Sequence, residues 1–209
     1  AEARIRVSGS TLRDALAIIM PSAAERAENL ATRGLVANGF VLATIHRAEN
    51  ADSADHLGAI LRELAAIPLP VVLPLHPRNR GRALEFGLHD ELAALQVCEP
   101  IGYREFISLA SEAALLVSDS GGVQEEPPSL GKPVLVLRDV TERPEAIAAG
   151  TVRLVGTSRE RIVTEALRRW DDPAIYAGFC RSANPYGDGR ACSRIVDALC
   201  ERPFTQFHS

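Results

Sequence analysis

Four absences narrow the field before any motif is read. Nothing in the 209 residues approaches the ~20 consecutive apolar positions that a bilayer-spanning helix needs, and the N-terminal AEARIRVSGS has no apolar signal core. A soluble, cytoplasmic chain without a membrane partner is expected. Basic residues are not in excess either: 23 Lys+Arg against 27 Asp+Glu leave a net charge of -4. No overall positive field exists to track nucleic acid, so any anion has to be held locally. Cys98, Cys180, Cys192 and Cys200 contain no Cys-x-x-Cys pair, and a chain long enough to bury a substantial core does not need disulfides. They read as reduced thiols, and no metal centre is implied. Met20 is the only methionine, so the chain reads as a fragment of a longer protein.

What is present is an alternation of short apolar runs with amphipathic segments. The composition, 46% hydrophobic and 24% charged, is that of an ordinary globular protein. Six runs, Phe40 to Ile45, Val71 to Leu75, Leu95 to Glu99, Leu115 to Ser118, Pro133 to Leu137 and Thr151 to Gly156, are rich in β-branched residues and leucine. Most are apolar on both faces, which suits parallel strands covered by helices on each side. Between them Leu57, Ile60, Leu61 and Leu64 repeat at helical spacing, as do Ile162, Val163, Ala166, Leu167 and Trp170. The βαβα order with right-handed crossovers predicts an α/β fold, a doubly wound parallel sheet of Rossmann type. Residues 11–34 read as helical with Gly34 as the stop, and 171–200 as two helices around the turn-rich NPYGDG. The whole chain, 1–209, is thus predicted to be one domain, with its core at about 37–170 and a helical tail at 171–209.

In such sheets ligands bind outside the carboxyl ends of the strands. That rule picks out HRAEN (His46 to Asn50), HPRNR (His76 to Arg80) and DSGG (Asp119 to Gly122). At Ser120, Gly121 and Gly122 the backbone N–H groups and a helix start are expected to converge on a phosphate, and glycine permits close approach. Gln124, Glu125 and Glu126 follow on the first turn, where a carboxylate can accept hydrogen bonds from vicinal ribose hydroxyls. Together these predict a nucleotide, although DSGG alone is equally a plain strand-to-helix turn. Pro127 and Pro128 imply that the following helix is short or begins late.

The stretch SDSGGVQEEPPSLGKPVLVLRDVTERPEAIAAGTVRLVG closely resembles the signature region of the non-hydrolysing UDP-N-acetylglucosamine 2-epimerases. TIHRAEN, EPIGYREF and NPYGDGRACSRI match the same family in the same order, from about Val7 to Leu199. The resemblance implies one half, the C-terminal domain, of a GT-B-type two-domain fold, with RVSGSTLRDAL as the handover from an absent N-terminal domain. It implies an isomerase that interconverts UDP-N-acetylglucosamine and UDP-N-acetylmannosamine by elimination and re-addition of UDP, without a cofactor. Ser120 and Gly121 match positions holding the UDP phosphates, with Gly122 beside them. Glu126 matches the ribose contact, Phe106 the wall of the uracil pocket, and Glu142 with Arg143 the lining of the same cleft. His46 matches the active-site histidine, with Arg47 and Glu49 in its loop. His76 with Arg47 matches a second, regulatory substrate site.

Each assignment has a plainer counterpart: Phe106 as core, His76 as a satisfied structural histidine, Arg143 as a solvated cation, NPYGDG as a turn with an N-cap at Asp188. Ile45 and Ala48 depart from the GHRREN version of the loop, and the carboxylates proposed as acid and base in complete members lie in the absent half. A GT-B glycosyltransferase donor domain and a noncatalytic nucleotide-sugar sensor therefore stand as alternatives. The implied partners are a UDP-sugar, the N-terminal half, and a second copy of the chain in a homodimer.

Overall fold

The structure, a computed structural model, describes residues 5–156, 159–181, 184–203 and 205–208, with the backbone alone at 159–161, 169–171, 173, 175, 179 and 181. The Trp170 side chain, counted above in a helical repeat, lies outside the described residues.

All six expected strands are present: β1 Val41–Thr44, β2 Val71–Pro74, β3 Gln96–Cys98, β4 Leu115–Ser118, β5 Val134–Val136 and β6 Val152–Leu154. They pair in parallel in the order β3-β2-β1-β4-β5-β6, the strand order of a dinucleotide-binding sheet. Every residue of β1 and β4 is buried, because side chains alternate between two covered faces. Val41 and Ala43 pack into one core layer with Leu57, Ile60, Leu61 and Leu64 of α4 (Ala54–Ala65) and with Ile162 of α10 (Arg159–Asp171). Leu42 turns into the other layer, against Leu109 and Ala110 of α7 (Tyr103–Glu112) and Leu30 of α2 (Ala23–Ala31). The four aliphatic side chains of α4 are wholly buried, worth about 1.5–3 kcal/mol each before conformational entropy is counted.

The N-terminal helical stretch differs from expectation. Instead of one helix over 11–34, α1 (Thr11–Ile19) ends before Pro21, and α2 starts afresh. Ser22 accepts from the Glu25 N–H while the Glu25 carboxylate accepts from the Ser22 N–H, a capping box that sets a new helix origin. Gly34 does close the segment, at φ +62°, a conformation that glycine adopts without strain. The remaining helices are α3 (Ala48–Ala51), α5 (Pro77–Glu85), α6 (His89–Ala93), α8 (Glu126–Ser129), α9 (Pro144–Ala148), α11 (Pro173–Arg181) and α12 (Ala191–Leu199). α11 and α12 flank NPYGDG as expected. Among the described residues no helix is long and apolar enough to cross a membrane, and none of the four cysteines is in a disulfide.

Candidate functional site

The strand order reverses between β1 and β4, where Thr44 pairs in register with Ser118. Their hydroxyls share a hydrogen bond of 2.6 Å, and Ser118 Oγ also accepts from the Ser120 N–H at 3.0 Å. One residue on, the fully buried Asp119 carboxylate accepts from the main-chain N–H groups of His46 (2.9 Å) and Arg47 (3.0 Å) and from Asn50 Nδ2 (3.0 Å). The two loops are therefore laced together at the carboxyl edge of the sheet.

A cleft of about 530 Å³ opens there, lined by Thr44, His46, His76, Ile101, Tyr103, Phe106, Ser120 and Val123 among others. Four of the sequence-predicted residues, His46, His76, Phe106 and Ser120, thus meet in one space although they come from four separate loops and helices. The His46 side chain is 60% exposed, with Nδ1 3.9 Å from Asp119 Oδ1. His76 is the N-cap of α5, its Nδ1 accepting from the Arg78 N–H at 3.2 Å, so it serves a structural role as well as lining the cleft. Phe106, partly buried against the core, sits one turn beyond Tyr103 on α7, and both face the cleft.

The glycine turn departs from a long helix start. Gly122–Gln124 form a single 3₁₀ turn, followed by α8 of only four residues, in which Pro127 and Pro128 occupy the first turn. So short a helix contributes little dipole. The Ser120 N–H is taken by Ser118, which leaves the Gly121 and Gly122 amides without an acceptor among the described residues. Gly121 has an ordinary φ of -66° and nothing within 4 Å of the place where a Cβ would stand, so glycine is used here for approach and not for a left-handed turn. Glu126 is 8% exposed and interacts with the Tyr103 hydroxyl. Burial raises the Glu126 pKa, Tyr103 lowers it, and neighbouring Glu125 raises it further. Burial and Glu126 push Tyr103 up to about 12.

The basic side chains of the site are already engaged. Arg143 Nε binds Glu125 at 2.6 Å, and both line a second cleft of about 750 Å³ with Arg6, Tyr186 and Phe207, which shares no lining residue with the first. Arg143 is thus paired, with its side chain still 40% exposed. Arg47 donates through Nε to the Asp119 carbonyl at 3.2 Å and approaches Glu142 at 3.6 Å, away from His76. The 8% exposed Arg138 forks onto Glu142 at 2.6 and 2.8 Å and holds that carboxylate down at about 2, with Arg47 adding to the effect. Among the described residues no group of His, Cys, Asp and Glu is placed to hold a metal.

Sequence reading named the loops that hold Asn50 and Asp119 but not the bond between them, and it missed Tyr103 and Arg138 as parts of this edge. Tyr103 had a signal, its i, i+3 spacing from Phe106, and Arg138 had one in Glu142 four residues on, whereas Asn50 and Asp119 meet across 69 residues.

The family model described as UDP-N-acetylglucosamine 2-epimerase matches residues 1–200. The chain belongs to this family. It is 40% identical over 208 residues to UDP-N-acetylglucosamine 2-epimerase of Escherichia coli K12, a match over 95% of this chain and 55% of that protein. The crystal structure of the Neisseria meningitidis UDP-GlcNAc 2-epimerase bound to UDP-GlcNAc superposes with a TM-score of 0.83 at 35% identity, over 97% of this chain and 57% of that one. ADP-heptose LPS heptosyltransferase II of E. coli, at 13% identity and a TM-score of 0.51 over 73% of this chain and 54% of its own, shares the fold alone. The chain spans about half the length of the curated epimerases it matches, and what is described here is a Rossmann-like half of that length.

Proposed function

We propose that this chain is the UDP-binding, C-terminal domain of a cytoplasmic UDP-N-acetylglucosamine 2-epimerase, with the uracil against Phe106, the ribose hydroxyls on Glu126 and the diphosphate at Ser120, Gly121 and Gly122. The observation that carries it is the convergence of His46, Phe106 and Ser120 on one cleft at the switch point of a sheet whose sequence matches this family throughout. The Neisseria relative, bound to UDP-GlcNAc, supports the same nucleotide here.

With the Ser120 amide occupied, diphosphate binding rests on the free Gly121 and Gly122 amides, the Ser120 hydroxyl and cations near the edge. Arg143 reaches the diphosphate by exchanging its Glu125 partner for phosphate oxygen. His46 is the catalytic group this half contributes, acting on the departing diphosphate or on C2 when the N-terminal half closes over the cleft. Arg47 and His76 are assigned to the regulatory substrate site by their match to the family, and Arg47 takes part by leaving its Asp119 and Glu142 partners.

Two measurements test this reading. Calorimetry should show UDP binding to the chain, with no heat for ADP at the same concentration. In deuterated water with UDP-N-acetylglucosamine, the N-terminal half supplied in trans should bring deuterium to C2. Transfer of the sugar to an acceptor without exchange would assign the chain to a glycosyltransferase instead, and binding with persistent silence would assign it to a sensor.

A further inference from the structure

We propose that Asp119 is a positioning residue for His46, acting through the main chain of the β1 loop; the proposal rests on the reading of the cleft given above. A fully buried carboxylate is costly unless hydrogen-bonded. Asp119 is satisfied by three donors, none of them a cationic side chain: the main-chain N–H groups of His46 and Arg47 and Asn50 Nδ2. The His46 ring is not among them, since its Nδ1 stands 3.9 Å away, too far for a hydrogen bond. The carboxylate therefore fixes where the His46 backbone sits and leaves the ring exposed to the cleft.

The same residue belongs to the opposite loop. Asp119 directly precedes Ser120, its carbonyl accepts from Arg47 Nε at 3.2 Å, and Asn50 reaches on to the Leu137 carbonyl beyond β5 at 3.4 Å. These bonds span 69 to 87 residues of sequence, and α3 has no side-chain cap of its own at Arg47. A displacement at the glycine turn is thereby transmitted to the His46 corner, and the reverse. In this way Asp119 sets the register between the nucleotide seat and the histidine.

The test compares wild type with Asp119→Asn in the whole chain by NMR. Asparagine keeps the shape but loses the charge and places an N–H₂ against N–H donors. The amides of His46 and Arg47 should exchange about tenfold faster, while those of Leu42 and Val117 inside the sheet keep wild-type protection. On UDP titration the Gly121 and Gly122 amides should still shift, and the His46 ring resonances, which shift at the same midpoint in wild type, should no longer follow them. Unchanged exchange at His46, an unchanged ring response, or equal loosening of Leu42 and Val117 would each overturn the proposal. Absence of any UDP response in wild type would sink the nucleotide reading, and the exchange comparison would then decide the role of Asp119 alone. If Asp119→Asn does not fold, Asn50→Ala removes one donor and should give the same pattern in smaller measure; wild-type exchange at His46 in that variant overturns the proposal.

Discussion

Glu126 is pulled between fold and ligand. Its burial beside Glu125 raises the folded pKa above the ordinary 4.5, more than the Tyr103 hydroxyl lowers it. The stability that goes with protonation is fully present below that ordinary value and is lost as pH rises through the folded one, so at neutral pH the ionised group weakens the fold. Glu126→Gln is therefore expected to melt at or above the wild-type temperature at pH 7, with the advantage shrinking below about pH 4.5. UDP affinity should fall by ~1.5–3 kcal/mol, roughly 10- to 150-fold. Thermal melts across pH together with calorimetry check both arms; a lower melting temperature with unchanged UDP affinity would make Glu126 a structural residue only. The position of Glu126 was legible because a carboxylate soon after a glycine turn follows from local spacing. Its partner Tyr103 was not, because α7 and α8 lie on different crossovers and only the folded sheet brings them together.

Among the elements, the break between α1 and α2 shows two local signals in competition. Apolar periodicity runs on through 11–34, yet Pro21 and the Ser-x-x-Glu of Ser22 and Glu25 announce a new start, and the start prevails because Pro21 lacks the N–H that a continuing helix uses. Hydrogen bonds from Ser22, then Arg104, hold Glu25 down at about 2. A lowered carboxylate contributes stability above its ordinary 4.5 and loses it as pH falls toward the folded value. Ser22→Ala should cost about 1 kcal/mol in urea unfolding. The Glu25 carboxylate, followed by NMR, should then titrate closer to its ordinary value; a titration left near 2 would mean that the Ser22 main-chain N–H and Arg104, not the Ser22 hydroxyl, set it. The six strands, by contrast, were readable to within a residue or two, since burial on both faces leaves an unbroken apolar run in β1, β4 and β5, and the partly exposed β3 and β6 keep shorter apolar stretches at the sheet edges. The shortness of α8 was readable as well, from Pro127 and Pro128.

Across the whole molecule, both ends of the chain are gathered at one place. The Phe207 N–H donates to the Val7 carbonyl at 2.9 Å and the Ser10 N–H to the Tyr186 carbonyl at 2.7 Å. Arg194 donates to the Ser8 and Thr205 carbonyls and forks onto Asp188 at 2.6 Å on each arm. That contact holds the Asp188 carboxylate well below its usual range, so the clasp is complete above that range and is lost on acidification. Asp188 does not cap α12; Asp14 of α1 does, accepting from Ala191 and Cys192. Arg194→Ala is expected to loosen residues 5–10 and 184–208 together, seen as several-fold faster hydrogen exchange in both segments with the central sheet unchanged. If only the tail loosens, Arg194 is not the hub.

Local pattern was enough for the strands, their parallel class, the loops at their carboxyl ends and the family. Each depends on residues adjacent in the chain, where burial and turn chemistry write their signal directly. Which side chains meet across those loops was settled by the fold alone. The order that sets β1 beside β4 joins Asp119 to His46 over 73 residues, turns Arg143 onto Glu125, and draws Tyr103 to Glu126. Such contacts depend on how the crossovers pack, and local periodicity and turn signals do not say which partners meet.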